Sequence, residues 1–316
     1  MPKTLEGVLK SSSPLVSVIL PVFNSEDYLK ESIRSILTQD YREIEVIVID
    51  DGSSDDSGLI INELAGSDTR IRHFKQSNKG LVETLNRGLE LSQGKYIARM
   101  DADDISLPGR IRKQVETMEA NSELVLCGTW FKEVENGDKL HKLFCKDEEI
   151  RVRSLFSPMF CHPSIMARAD VAKKIRYEGS FFRAEDYLYW VELMSIGKVC
   201  NIPEVLLKYR VHQNQVSCDR DKQRKVHVSV SKIAWKRLFQ IDISEDLLTC
   251  IIFGGRDVET LKKSVSFIKT LTNRSVKKLA ISYLWKSNSI KLLKIDPLSY
   301  LKGLYESIIE KLKLRY

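Results

Sequence analysis

The sequence has no apolar run long enough to cross a bilayer. Its longest candidates, VSVILPVF (16–23) and EVIVID (45–50), are eight and six residues, whereas a spanning helix needs about 20. It has no cysteine framework either: Cys127, Cys145, Cys161, Cys200, Cys218 and Cys250 form no CxxC pair and have no histidine at zinc spacing, so reduced, mostly buried thiols are expected. No GxGxxG and no GxxxxGK[ST] occurs, which removes the glycine cradles that hold a dinucleotide or a nucleoside triphosphate. Internal repeats, low-complexity segments and the signatures of helix-turn-helix, zinc-finger or RNA-binding modules are also missing, so no nucleic-acid partner is expected. The N-terminal stretch reads as strand and loop, not as a secretory leader, which predicts a cytoplasmic chain.

What is present is a soluble composition with uneven charge. Apolar residues make up 43% of the 316 and charged residues 29%, ordinary for a globular protein. The net charge of +7 lies in the tail: residues 219–316 hold 21 Lys and Arg against 10 Asp and Glu, whereas the first 218 hold 29 against 33.

The first 121 residues alternate strand and helix patterns. Strands are expected at VSVILPV (16–22), EIEVIVIDD (43–51), IRHFK (71–75) and KYIARM (95–100), with helices at 25–39, 54–65, 81–93 and 107–121. Such alternation predicts an α/β fold, a mostly parallel sheet flanked by helices. Ser25 and Pro108 are suited to begin the first and last of those helices. Beyond residue 121 the alternation weakens. ELVLCGTWFKEV and KLHKLF flank Asn136-Gly137, a hairpin signal, and residues after about 222 read as basic helices. The expected division is 1–235, carrying the sheet, and 236–316, a basic helical region.

Ligands of open α/β sheets bind beyond the carboxyl ends of the strands. That edge gathers PVFN (21–24), DDGSSDDS (50–57), QSNKG (76–80) and DADD (101–104). Three carboxylates within four positions repel one another unless a cation, a ligand or open water offsets them. Asp101 and Asp103, two apart in an extended turn, can face one side and seat a hard divalent cation that also takes phosphate oxygens; a solvated acidic turn is the plainer alternative. Asp50 and Asp51 suit hydrogen bonds to a base or ribose, or an Asx-type turn. Glu185 and Asp186 open an amphipathic helix, where acids favour the dipole and where one can also serve as a general base. Arg210 and His212 fall on one face of an extended segment, placed to meet a diphosphate and its metal, the histidine as a ligand.

Taken in order, VSVILPVFN, IEVIVIDDGSSDDS, NKGLVETLNRGL, GKYIARMDADDISLPGR, EDYLYW and YRVHQNQVS resemble glycosyltransferase family 2 over roughly residues 14–218. The resemblance implies the GT-A fold and a metal-dependent, inverting transfer of one sugar from a UDP-sugar to a saccharide hydroxyl. It implies that Pro21 and Phe23 stack on the nucleotide base, that Asp51 reads the uracil with Asp50 beside it, and that Asn78, Gly80 and Asn86 line the nucleotide pocket. It further implies that Asp101, Ala102 and Asp103 bind ribose and metal-diphosphate, that Arg110 contacts the same ligand, and that Asp186 is the base with Glu185 orienting the site. His162, in HPS, either borders the acceptor pocket or is structural. The QxxRW motif and membrane helices of processive members are absent. Mn²⁺ or Mg²⁺ is the implied cofactor, and bacterial O-antigen or capsule assembly on an undecaprenyl-diphosphate carrier the implied setting. Two rival readings are a nucleotidyltransferase, which lacks support from a Gly- and basic-rich first loop, and a non-enzymatic nucleic-acid binder resting on the basic tail. The tail itself reads equally as a peripheral membrane contact or as a helical subdomain packed on the core or on a partner subunit, a homo-oligomer included.

Overall fold

A computed structural model describes residues 13–134, 138–211, 220–254 and 257–295. These divide into two compact units. One comprises residues up to Lys142 with Cys161–Arg176 and Ile202–Val211; the other comprises Leu143–Phe160, Tyr177–Asn201 and the described residues after Val211.

The first unit is built on β1 (Val16–Val22), α1 (Glu26–Leu37), β2 (Ile44–Asp50), α2 (Ser57–Ser67), β3 (Ile71–Lys75), α3 (Leu81–Leu91) and β4 (Tyr96–Arg99), then β5 (Ile105–Ser106) and α4 (Arg110–Ala120). Each expected strand and helix of the first 121 residues is present. β1 and β2 are near-continuous β-branched and aliphatic runs because helices cover both faces of a parallel sheet, and nearly every residue in them is buried. In α1 the apolar stripe Leu29, Ile33 and Ile36 is wholly enclosed, which is the burial that holds this helix on the sheet. Ser25 precedes α1 without a side-chain cap; its hydroxyl donates instead to the Phe23 carbonyl at 3.1 Å. Pro108 stands before α4, which opens after Gly109 in the left-handed conformation at φ 82°.

β6 (Leu124–Val134), β7 (Leu140–His141), β8 (Met166–Arg168), the short α6 (Ala169–Ala172) and the end of β9 (Lys198–Arg210) complete this unit. The strand order is β3-β2-β1-β4-β8-β6-β9-β5, with β7 paired to β6. β3, β2, β1 and β4 are parallel, while β4–β8, β8–β6, β6–β7 and β5–β9 are antiparallel. The sheet is therefore mixed, parallel from β3 to β4 and partly antiparallel beyond. A parallel neighbour requires a crossover, usually a helix, and the strand-helix alternation ends with α4. The hairpin of β6 and β7 is formed, Phe131 opposite His141; Asn136 and Gly137 of its turn lie outside the described residues.

The second unit is helical: α5 (Asp147–Arg153), α7 (Glu185–Ile196), α8 (Arg220–Phe239), α9 (Glu245–Phe253), α10 (Val258–Thr270) and α11 (Arg274–Ile295). Phe156 is its hub, stacked on Tyr283 at 4.5 Å and meeting Trp235 edge-on at 5.6 Å. Trp235 Nε1 donates to the Leu155 carbonyl at 3.1 Å. Val276, Leu279, Ala280 and Leu284, the apolar face of α11, are buried within the unit. The described tail helices thus pack among themselves and on α5 and α7, leaving lysines outward. The expected boundary between residues 235 and 236 falls inside α8, and the part of the expected basic helical region beyond residue 295 lies outside the described residues. No described helix is long and apolar enough to cross a membrane.

Candidate functional site

Parallel register puts the carboxyl ends of four strands on one edge. Val22 lies beside Asp50, Asp50 beside Lys75, and Ile19 beside Arg99. The loops that follow are therefore neighbours, and they are stitched together. Asn24, at φ 47°, accepts from Ser54 N at 2.9 Å while its own N–H donates to Ser53 Oγ at 3.0 Å. Glu26 N donates to Asp55 Oδ2 at 3.0 Å and Asp56 N returns a bond to Glu26 Oε2 at 2.7 Å. This lacing leaves Phe23 standing 51% exposed beside the partly buried Pro21, an open aromatic face at the sheet edge.

Asp50 and Asp51 are both enclosed, and each has a defined task. Asp50 Oδ1 accepts from Ser53 N at 2.8 Å, closing the Asx turn; Oδ2 lies 3.7 Å from Lys75 Nζ. Asp51 holds the loop after β3. Its Oδ1 accepts from Gln76 Nε2 at 2.7 Å and Lys79 N at 2.8 Å, and its Oδ2 from Gly80 N at 2.8 Å. A carboxylate has about four acceptor positions, so three of them are occupied from inside the protein. Gly52, at φ 80°, allows the two loops to approach, since a Cβ there would meet Asn78 N at 2.8 Å. Asn78 is exposed, Gly80 half-buried at φ 84°, and Asn86 buried on α3.

The acidic loop is the strongest cluster of the unit. Ligand oxygens of Asp101, Asp103 and Asp104 lie within 4.8 Å of one another. Asp101 pairs with Arg99, and Ala102 between the two outer acids is buried. Asp104 is fully enclosed; Oδ1 accepts from Arg210 N at 2.9 Å, and Oδ2 has no hydrogen-bond partner among the described residues. Burial, followed by the charges of Asp101 and Asp103, pushes the Asp104 carboxyl well above its ordinary range. Clustered oxygens with a buried, unpartnered carboxylate oxygen are a donor set that fits a hard divalent cation. Burial and the same acids also raise the Tyr209 hydroxyl, which therefore stays protonated.

Two arginines expected to contact the ligand are buried and bonded to the protein itself. Arg110 is fully buried beneath the loop: Nη2 donates to the Arg99 carbonyl at 2.7 Å, and Nε to Gln114 Oε1 at 3.2 Å. Burial brings it down to about 10. A buried guanidinium must be partnered, and here backbone carbonyls supply the partners. Arg210 Nη1 donates to the Asp103 carbonyl at 2.7 Å, Nη2 pairs with Glu31, and the guanidinium lies 4.9 Å over the Tyr28 ring. Arg210 braces the acidic loop through its main chain, and Arg110 braces the end of β4 just before it. Their sequence signal, a cationic residue beside an apolar run, is the same for bracing and for ligand binding. His212 lies outside the described residues. His162 is buried, and burial together with Arg99 pushes its imidazole well below the ordinary range, so it is uncharged at neutral pH.

Glu185 and Asp186 belong to the second unit, at the start of α7. Glu185 is buried and its Oε2 accepts from Arg183 N at 2.6 Å. Asp186 is partly exposed, with Oδ1 accepting from Tyr187 N at 2.6 Å. Of the pair, Asp186 is the more exposed.

Residues absent from the sequence-based set are Arg99, which partners Asp101, and Glu31, Ser32 and Tyr28 of α1. Only Asp104 carried a local signal, as part of DADD.

Comparison with known proteins gives three consistent findings. The family model described as glycosyl transferase family 2 matches residues 17–176. An uncharacterized glycosyltransferase of Haemophilus influenzae is 36% identical over 219 residues, 65% of this chain and 68% of its own length. The UDP-Glc:alpha-D-GlcNAc-diphosphoundecaprenol beta-1,3-glucosyltransferase WfaP of Escherichia coli is 31% identical over 213 residues, 66% of this chain and 82% of its own. Among solved structures, S. aureus TarS 1–349 in complex with UDP-GlcNAc has a similar fold, with a TM-score of 0.61 at 16% identity, covering 95% of this chain and 92% of that one.

Proposed function

Because the chain belongs to glycosyltransferase family 2 and is a GT-A glycosyltransferase, we propose that it moves a single sugar from a UDP-sugar to a hydroxyl of a saccharide acceptor, with inversion at the anomeric carbon. The observation that carries this reading is the acidic loop at the carboxyl edge of the parallel strands, where three carboxylates converge within 4.8 Å. Phe23 is the stacking face for the base, and the loop held by Asp51 lines the nucleotide. A uridine nucleotide is favoured because WfaP is named for UDP-Glc and TarS was solved with UDP-GlcNAc.

Bound at Asp101 and Asp103, Mn²⁺ or Mg²⁺ would offset the charge that builds on the departing diphosphate. Asp186 accepts the proton of the acceptor hydroxyl as that oxygen bonds to the anomeric carbon; the bond from that carbon to the diphosphate oxygen breaks, and UDP leaves. Glu185, buried and bonded to the backbone, orients the turn that carries Asp186. Arg110 and Arg210 keep the acidic loop in place from inside the protein.

For the acceptor, the reading is a lipid-diphosphate-linked saccharide in surface-polysaccharide assembly. WfaP's name supports it, as does the basic outer surface of the tail helices, which suits an anionic lipid headgroup layer. Since the apolar faces of the described tail helices are buried, contact through those helices is by charge and not by insertion. The test is UDP release from UDP-glucose and UDP-N-acetylglucosamine with a lipid-linked acceptor, with and without Mn²⁺. Metal-dependent release is expected. Failure of the protein to bind UDP in the presence of Mn²⁺ would refute the assignment.

A further inference from the structure

One face of α1 runs along the acidic loop, and its polar residues all serve the same segment. Ser32 and Ser35, three apart, lie on one stripe of α1, and Gln39 follows two residues past its end. Ser32 Oγ donates to the Asp101 carbonyl at 2.7 Å. Ser106 N donates to Ser35 Oγ at 3.0 Å. Gln39 Nε2 donates to the Leu107 carbonyl at 2.9 Å, while its Oε1 accepts from Ile111 N at 3.3 Å. Just before the stripe, Glu31 pairs with Arg210, and Arg210 Nη1 donates to the Asp103 carbonyl at 2.7 Å.

Ser32 and Gln39 are buried beside Leu29, Ile33 and Ile36. Polar groups in such a face destabilise a helix packing unless each finds a partner. A purely structural zipper needs partners anywhere along the segment. Here the first two grips fall on the carbonyls of Asp101 and Asp103, the residues whose side chains converge. Holding those peptide units restrains the direction of each Cα–Cβ bond.

We propose that Ser32 and Arg210 are positioning residues for the metal loop, Ser32 through the Asp101 carbonyl and Arg210 through the Asp103 carbonyl. The proposal rests on the assignment of that loop as a divalent-cation site. Helix α1 also begins directly after the base-stacking loop, so the same rigid element sets base loop and metal loop in one frame.

The test is a Mn²⁺ titration of the full chain with UDP, read by the electron paramagnetic resonance of free Mn²⁺, beside a melting curve for each variant. Ser32→Ala is nearly isosteric in a helix and keeps the fold; it should weaken Mn²⁺ binding about tenfold, as loss of groups that orient metal ligands does, with melting close to wild type. Arg210→Lys keeps the charge but loses the fork, and should weaken binding at least as much. Wild-type Mn²⁺ affinity in Ser32→Ala would overturn the proposal while leaving the metal assignment intact. Absence of Mn²⁺ binding in the wild type would overturn the metal assignment, and the proposal with it.

Discussion

Asp51 offers the sharpest test of how the site is built. Replacing it with alanine removes an acceptor shared by Gln76 Nε2, Lys79 N and Gly80 N, at 2.7, 2.8 and 2.8 Å. Hydrogen bonds to a charged group are worth about 1.5–3 kcal/mol each. Lys79 is exposed and Gly80 half-buried, so water takes up part of what the freed N–H groups lose. The expected net cost, borne locally by the loop after β3, is about 2–4 kcal/mol. Amide hydrogen exchange measured by mass spectrometry across residues 76–81 reads that cost directly. Protection there should drop by roughly 30- to 1,000-fold, the equivalent of that free energy at a tenfold change per about 1.4 kcal/mol. UDP affinity should fall with it, because the nucleotide then has to order the loop. Unchanged exchange in Asp51→Ala together with lost UDP binding would mean that the carboxylate acts on the ligand alone and that the bracing argument is wrong.

Other outcomes follow from the same structure. Asp186→Asn should abolish sugar transfer and leave UDP binding by calorimetry unchanged; a fully active variant would remove the proposed base. Glu45 is buried, which raises its carboxyl, but bonds from Ser17, Arg72 and Gln93 N outweigh this and hold it below the usual 4.5. Its stabilisation is therefore complete above that value and lost as pH falls through the lower, folded value. Acid-unfolding curves should show wild type losing stability more steeply than Glu45→Gln below about pH 4.5, and parallel curves would count against the network. Cosedimentation with vesicles rich in anionic lipid should be salt-sensitive and lost when the exposed Lys262, Lys263 and Lys278 are changed to glutamate; unaltered cosedimentation would place the membrane contact elsewhere.

The period of local patterns made much of the first unit readable. Strands at 16–22, 71–75 and 95–100 and the helices between them announce themselves by side-chain periodicity, and β1 to β4 occupy those places. The acid cluster was equally legible, because three like charges in four positions need a common explanation. What the residues did not disclose was orientation. Arg110 and Arg210 stand in stretches that read as ligand contacts, yet both turn inward to backbone carbonyls. Asp51 likewise turned out to be occupied by a loop 25 to 29 residues away. The pairing of β5 was also hidden, since its antiparallel partner β9 lies about a hundred residues later.

By itself, the sequence determined which segments are strand or helix and which loops concentrate acidic and polar residues, because those properties depend on neighbours within a turn or a pleat. Only the tertiary structure decided which charges turn inward to brace the protein and which stay at the sheet edge. A buried charge must find a partner among whatever groups folding brings beside it, and for Arg210 those groups come from α1 and the acidic loop, far off in the chain.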